Sequence, residues 1–261
     1  LQIAFGSAQP QLTVTEINKL RIQLPAFEEQ TKIANFLTAI DEKITQLTKK
    51  YDLLKQYKKG VMQQIFSQKL RFKDDVGRDF AGWEEAVIGD VITQKPKKFN
   101  PEKSESNFQC IELEHLSQAT SELLGYTNAL KQKSIKNKFQ KGDVLFGKLR
   151  PYLKKFLKAP FDGVCSTEIW VLTGKKVSND FIHQFVQTED FIALANISSG
   201  SKMPRADWDV VASGTMNYPV AKEQTKIANF LTAIDDKITQ TQTKLDAVKQ
   251  YKKGLLQQLF V

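Results

Sequence analysis

Histidine and cysteine are scarce in this 261-residue chain, with two of each, and neither pair has the spacing of a metal site. Two cysteines, Cys110 and Cys165, cannot frame a disulfide scaffold and are expected to be reduced, buried thiols. His115 and His183 lie far apart without matching ligands, so each is expected to be structural. No stretch approaches the roughly 18 consecutive apolar residues that a membrane span needs, which leaves a membrane out of the expected partners. The start, Leu1-Gln-Ile-Ala-Phe-Gly6, lacks the basic head and apolar run of a signal peptide, so a cytoplasmic location is expected. It also lacks an initiator Met. There is no Phe-x-Gly-x-Gly cofactor loop, no Walker loop and no Asn/Asp-Pro-Pro-aromatic motif; Asn100-Pro101-Glu102 does not qualify. Asp162 and Glu168 come nearest to a nuclease Pro-Asp…Glu-x-Lys pattern, but the residue two after Glu168 is Trp170. The chain is therefore expected to be non-catalytic and to hold neither a metal nor a cofactor of its own.

What is present is positive charge, concentrated in one place. The net charge is +9, with 41% hydrophobic and 26% charged residues, as in a globular protein. Between Lys131 and Lys158 ten basic residues (131, 133, 136, 138, 141, 148, 150, 154, 155 and 158) face one acid, Asp143. Phe139, Phe146, Tyr152 and Phe156 interrupt the run, so the segment should fold and display its cations on one surface to an anionic partner.

The chain also repeats itself. Pro25–Asp41 recurs as Pro219–Asp235, and the match continues through Lys55–Gly60 and Lys249–Gly254; 29 of 42 paired positions are identical. In the first copy apolar residues step by three and four along Ile33, Leu37, Ile40, Ile44, Leu47, Tyr51, Leu54, Val61 and Ile65. In the second they follow Ile227, Leu231, Ile234, Ile238, Leu245, Val248, Leu255 and Leu259. This is the seam of a coiled coil, and each copy predicts a helix of about 60 Å, too long to stand alone in water. Pro25 and Pro219 suit helix starts. Near-identical units tend to obey a pseudo-twofold axis, which predicts an antiparallel pair with an interface of Ile33, Leu37, Ile40, Ile44, Leu47, Leu54, Ile227, Leu231, Ile234, Ile238, Leu245 and Val248. Gly60 and Gly254 would mark a bend or the start of fraying. The repeat reaches upstream, where Gly6-Ser7-x-x-Pro10 matches Gly200-Ser201-x-x-Pro204 and Ile17 matches Val211. Residues 1–24 thus look like the tail of a first domain, of which roughly 130 residues would be missing, as in a truncated form of a two-domain protein.

The expected division is a domain tail at 1–24, a helix at 25–70, a globular domain at 71–218 and a helix at 219–261. The fold class is α+β, a strand-rich α/β domain with two long helices in an antiparallel coiled coil. Strands are expected at Ala86–Ile92, Phe108–Leu113, Asp143–Phe146 and Ile169–Leu172, and a helix at Asp180–Ala195. The densest chemical signal is Gly142–Lys155, where a strand leads into Gly147 and Lys148, Arg150, Tyr152, Lys154 and Lys155 alternate with Leu149 and Leu153. Alternation would place the polar set on one side, with Arg150 suited to a guanine edge and the lysines to phosphates. Lys131, Lys133, Lys136 and Lys138 would extend the basic face. The loop 198–205 adds Ser201, Lys202 and Arg205, a phosphate-friendly composition, and Lys95, Lys97 and Lys98 form a weaker cluster.

The repeated Pro-x-x-x-Glu-Gln-x-Lys-Ile-Ala-x-Phe-Leu-x-x-Ile-Asp helix, Gly147–Leu153, Cys165-Ser-Thr-Glu168 and the Gly-Ser-x-x-Pro loops together resemble the specificity subunit of type I restriction–modification systems. The resemblance implies two target-recognition domains held by the helix pair, each reading half of a split site in double-stranded DNA. It implies docking of methyltransferase subunits, which hold S-adenosylmethionine for adenine methylation, and of a restriction subunit. With one complete recognition domain, a homodimer would be the way to present two. The alternative is a coiled-coil scaffold whose basic domain binds an acidic protein partner.

Overall fold

The computed structural model describes residues 13–19, 21, 24–94, 96–197 and 204–259. In chain order the elements are α1 (Val14–Asn18), α2 (Phe27–Phe66), β1 (Glu84–Val87), α3 (Ile88–Val91), β2 (Ile92–Thr93), β3 (Lys98–Phe99), β4 (Gln109–Ile111) and β5 (Thr127–Asn128). They continue with β6 (Lys136–Phe139), β7 (Val144–Gly147), β8 (Phe156–Lys158), β9 (Gly163–Ser166) and β10 (Ile169–Gly174). The chain then forms α4 (Asn179–Phe185), α5 (Glu189–Ala195), α6 (Trp208–Ser213), β11 (Thr215–Tyr218) and α7 (Ala221–Leu259). The fold is α+β with two long helices, and among the described residues no helix is long and apolar enough to cross a membrane.

The two long helices begin in the same way because the sequence begins them in the same way. The carboxamides of Gln30 and Gln224 donate back to the carbonyls of Pro25 and Pro219, each at 2.8 Å, which satisfies an oxygen just outside the first turn. Thr31 and Thr225 then hydrogen-bond to the carbonyls of Phe27 and Ala221. Gly60 and Gly254 lie inside α2 and α7 with open space around them, and neither ends its helix. A single glycine costs about 1 kcal/mol of helix propensity, which the turns on either side outweigh.

Two compact units result, one of residues 1–48 and 244–261, the other of residues 49–243, so the division falls inside α2 and α7. In the first unit Ile40, Leu47 and Leu245 are buried and Asp41 pairs with Lys252 at 2.5 Å. In the second, Lys58 meets Asp235 at 2.6 Å, and further along the chain Arg71 meets Glu223 at 2.7 Å, so the segments run antiparallel. Asp41–Lys252 and Asp235–Lys58 are the same pair of repeat positions, each aspartate coming from one copy and its lysine from the other.

The core of the second unit follows from strand parity. The four-stranded sheet β2-β10-β7-β8 is antiparallel throughout; the five-stranded sheet β3-β6-β9-β4-β5 is mixed, with β4 parallel to β9. Side chains on a strand alternate between faces. Val144, Phe146, Phe156, Trp170 and Leu172 therefore join one core with Phe181, Phe185 and Phe191 of α4 and α5. Val61, Met62 and Ile65 of α2 and Ile227, Leu231 and Ile234 of α7 belong to the same core. The interleaved Leu145, Leu157, Ile169 and Val171 pack instead with Ile111, Phe139 and Cys165 of the five-stranded sheet. A small cluster of Phe99, Cys110, Ala129 and Val164 forms a third core.

Two expected elements differ. The helix expected at 180–195 is two, because Thr188 interrupts it: its hydroxyl donates to the Phe185 carbonyl at 2.7 Å and accepts from the Phe191 amide, so it caps α5. The strand expected at 86–92 contains the single turn α3, whose Ile88 and Val91 stand three residues apart and are both buried. That spacing suits one helical turn as well as a strand.

Candidate nucleic-acid interface

Strand β7 ends at Gly147, where a Cβ would meet Leu113 at 2.9 Å and Lys155 at 3.3 Å. The close approach lets the Gly147 amide donate to the Lys155 carbonyl at 2.8 Å, so residues 147 and 155 close a loop. Inside it the chain does not stay extended. Arg150 is left-handed at φ 52°, Pro151–Leu153 form one 3-10 turn, and Lys154 is left-handed at φ 50°. The expected alternation of polar and apolar side chains therefore does not hold across this segment. Pro151, with its fixed φ, starts that turn.

The loop is tied on both sides. The Arg150 amide donates to the Pro204 carbonyl and the Ala206 amide to the Lys148 carbonyl, each at 2.8 Å, and Leu149 bridges Arg205. On the other flank the Ala119 amide donates to the Lys154 carbonyl at 2.9 Å, and Gln118 bridges Lys155. Two non-glycine residues in the left-handed region cost on the order of 1–2 kcal/mol each, and these ties hold them there.

The side chains of the loop differ in availability. Arg150 and Tyr152 are exposed, and Lys148 is half-buried. Lys154 pairs with Glu189 at 3.1 Å and Lys155 donates to the Leu113 carbonyl at 2.6 Å. The hydrogen bond from Lys154 is also what holds the Glu189 carboxyl below its usual range. Arg205 pairs with Glu168 at 3.0 Å. Lys131 and Lys133 are exposed with no carboxylate partner among the described residues. Lys138 is exposed and sits over the rings of Phe99 and Phe108, at 5.6 and 5.2 Å. Lys136 is not displayed at all: it is 2% exposed and pairs with Glu112 at 2.6 Å, an inward position on the central part of its sheet. Ser201, Lys202 and Lys95 lie outside the described residues, and Lys98 is engaged with Asn137.

None of the twelve helix-seam residues is exposed; Ile40, Leu47, Ile227, Leu231, Ile234 and Leu245 are buried and the other six half-buried. Cys110 and Cys165 are free and buried, and burial pushes the Cys110 thiol up to about 12 and Cys165 well above its ordinary value. His115 accepts from the Glu112 amide through Nδ1 at 3.0 Å. His183 is buried beneath the 117–122 turn, with Nε2 at 2.7 Å from the Ser121 hydroxyl, and burial lowers its pKa to about 4. That turn leaves no signal in the sequence, since Ser-Gln-Ala-Thr-Ser-Glu carries no glycine to announce its left-handed Ala119 and Ser121.

A family model for the type I restriction modification DNA specificity domain matches residues 1–56 and 81–250. The type I restriction enzyme MjaVIII specificity subunit of Methanocaldococcus jannaschii is 22% identical over 96% of the chain and 64% of its own length. The EcoDI specificity subunit of Escherichia coli is 28% identical over 43% of the chain and 26% of its own. The chain thus spans less than two thirds of the length of either relative. Among solved structures, a type I restriction–modification S subunit from M. genitalium aligns over 99% of the chain and 68% of its own, with TM-score 0.61 and 16% identity. The HsdS subunit of Thermoanaerobacter tengcongensis aligns over 68% of the chain and 48% of its own, with TM-score 0.54 and 22% identity, a likeness of fold.

Proposed function

The chain belongs to the type I restriction modification DNA specificity family, and from that premise we propose that it is the non-catalytic, sequence-reading subunit of such a system. In this reading residues 71–218 are a target-recognition domain that contacts one half of a two-part site in duplex DNA. The long helices set the distance to the other half and dock methyltransferase subunits, and through them a restriction subunit. S-adenosylmethionine would be held by the methyltransferase, in the cytoplasm where the DNA lies. A second copy of the chain would supply the other recognition domain.

The observation that carries this reading is the 147–155 loop. It presents Arg150 and Tyr152 outward on a turn whose unusual backbone is fixed from both flanks. Pre-set geometry of this kind is what base reading needs, because a guanidinium must meet the two acceptors of guanine in one orientation. Lys131, Lys133 and Lys138 supply charge for the phosphates, which positions a duplex without selecting its sequence.

The test is binding of the chain, assembled with its methyltransferase partner, to duplex DNA at two salt concentrations. Affinity should fall steeply with salt and retain a preference for one sequence. Arg150→Ala should cost about 1–3 kcal/mol of discrimination at one base pair, whereas Lys131→Ala should weaken all sequences alike. Weak binding that ignores sequence would end the proposal.

A further inference from the structure

We propose that Gln118 is a second sequence-reading side chain, one that recognises an adenine edge beside the base met by Arg150. The inference rests on the DNA-reading function proposed above and extends it to a segment outside the basic run.

Four of the five non-glycine residues with positive φ among the described residues fall in two neighbouring turns, Ala119 and Ser121 in one, Arg150 and Lys154 in the other. The turns are joined by the Ala119 amide donating to the Lys154 carbonyl and by the bridge between Gln118 and Lys155. The 117–122 turn is built to keep its shape. The Ser117 amide donates to the Glu122 carbonyl at 3.1 Å, and the Glu122 amide donates to the Ser117 hydroxyl oxygen at 2.8 Å. Beneath it stands buried His183. The carboxamide nitrogen of Gln184 lies 3.3 Å from Nδ1 and can only donate, so the imidazole proton sits on Nε2 and is donated to the Ser121 oxygen. A neutral imidazole with both nitrogens engaged holds the turn without adding charge to it.

The polar side chains of the turn can then be sorted by what occupies them. Ser117 and Thr120 bond to each other at 2.6 Å, and Ser121 is held by His183. Glu122 carries the wrong charge for a polyanion. Gln118 is left, exposed and with its carboxamide free of any protein partner among the described residues. A carboxamide sets a donor and an acceptor side by side, the pattern that matches the N6 and N7 edge of adenine in the major groove. It adds no charge, so its contribution is to sequence and not to phosphate attraction.

The experiment compares the full chain and its Gln118→Ala variant, each assembled with the methyltransferase partner, in selection from a pool of randomised duplexes followed by sequencing. The variant should lose about tenfold to a hundredfold of its preference at one A·T pair and keep the rest of the motif. The salt dependence of binding should stay that of the unaltered chain, since no charge is removed. An unchanged motif overturns the inference and leaves the DNA-reading function standing. So does a uniform loss on all sequences, which would make Gln118 a backbone contact. If the unaltered chain enriches no motif, both readings fall together.

Discussion

Glu29–Asp41 and Glu223–Asp235 are the same thirteen residues in the same order, yet they live in different surroundings. Glu223, Gln224, Ala228 and Leu231 are buried, while Glu29, Gln30 and Ala34 are exposed and Leu37 is half-buried. Phe230 packs on Phe72 at 5.5 Å; Phe36 is 47% exposed. What repeats is what neighbours in sequence determine: the helix, the glutamine–proline clamp, the threonine back-bond. What differs is what distant residues supply, namely Arg71, Phe72 and the core of the 49–243 unit. The first copy thus carries an apolar face like the one that the second copy covers, in keeping with the second recognition domain proposed above.

The comparison can be tested one pair of positions at a time, with urea denaturation as the measurement. Leu231→Ala should cost about 3–4 kcal/mol and Leu37→Ala about 1 kcal/mol, because the cost of a deleted side chain scales with the cavity it leaves. Equal losses would mean that both faces are covered. The next effect is one of pH. His183 has its folded pKa lowered to about 4, below the ordinary 6.5, so the stability of burying it neutral is complete above pH 6.5. It is lost as pH falls through 4, up to about 3 kcal/mol in all. In hydrogen exchange the amides of 179–195 should lose protection over that range while those of 27–48 do not, and His183→Gln should flatten the acid response. Glu223→Gln should cost about 2 kcal/mol, since Arg71 loses a two-pronged carboxylate at 2.7 and 2.8 Å, and Glu29→Gln should stay within about 0.5 kcal/mol. Lys252→Ala should also cost little, below about 1 kcal/mol, because Asp41 keeps water around it.

The long helices and their antiparallel direction are legible in the sequence because periodicity and duplication are local signals that reinforce each other. The strands that carry alternating β-branched and aromatic residues, β7 and β10, are legible for the same reason. Strand β6, Lys-Asn-Lys-Phe, is not, since its inward Lys136 is made tolerable only by Glu112, twenty-four residues away. The loop at 147–155 is found by composition, but its shape is not. Alternation of polar and apolar residues reads as a strand until Pro151 and two left-handed residues turn it. The Ser121 turn leaves still less trace, as its conformation is imposed by His183 and Lys154 from elsewhere in the chain.

The left-handed Arg150 has a consequence for anyone who selects variants of this protein. Glycine at that position would relieve about 1 kcal/mol of backbone strain. A screen that rewards thermal resistance alone should therefore drift toward Arg150→Gly and, with Arg150 reading a base as proposed above, return sturdier proteins that have lost their preference for one letter of the genome. In that proposal heat tolerance and discrimination pull in opposite directions at this one residue, and a population kept under both pressures should retain the arginine and find its stability elsewhere.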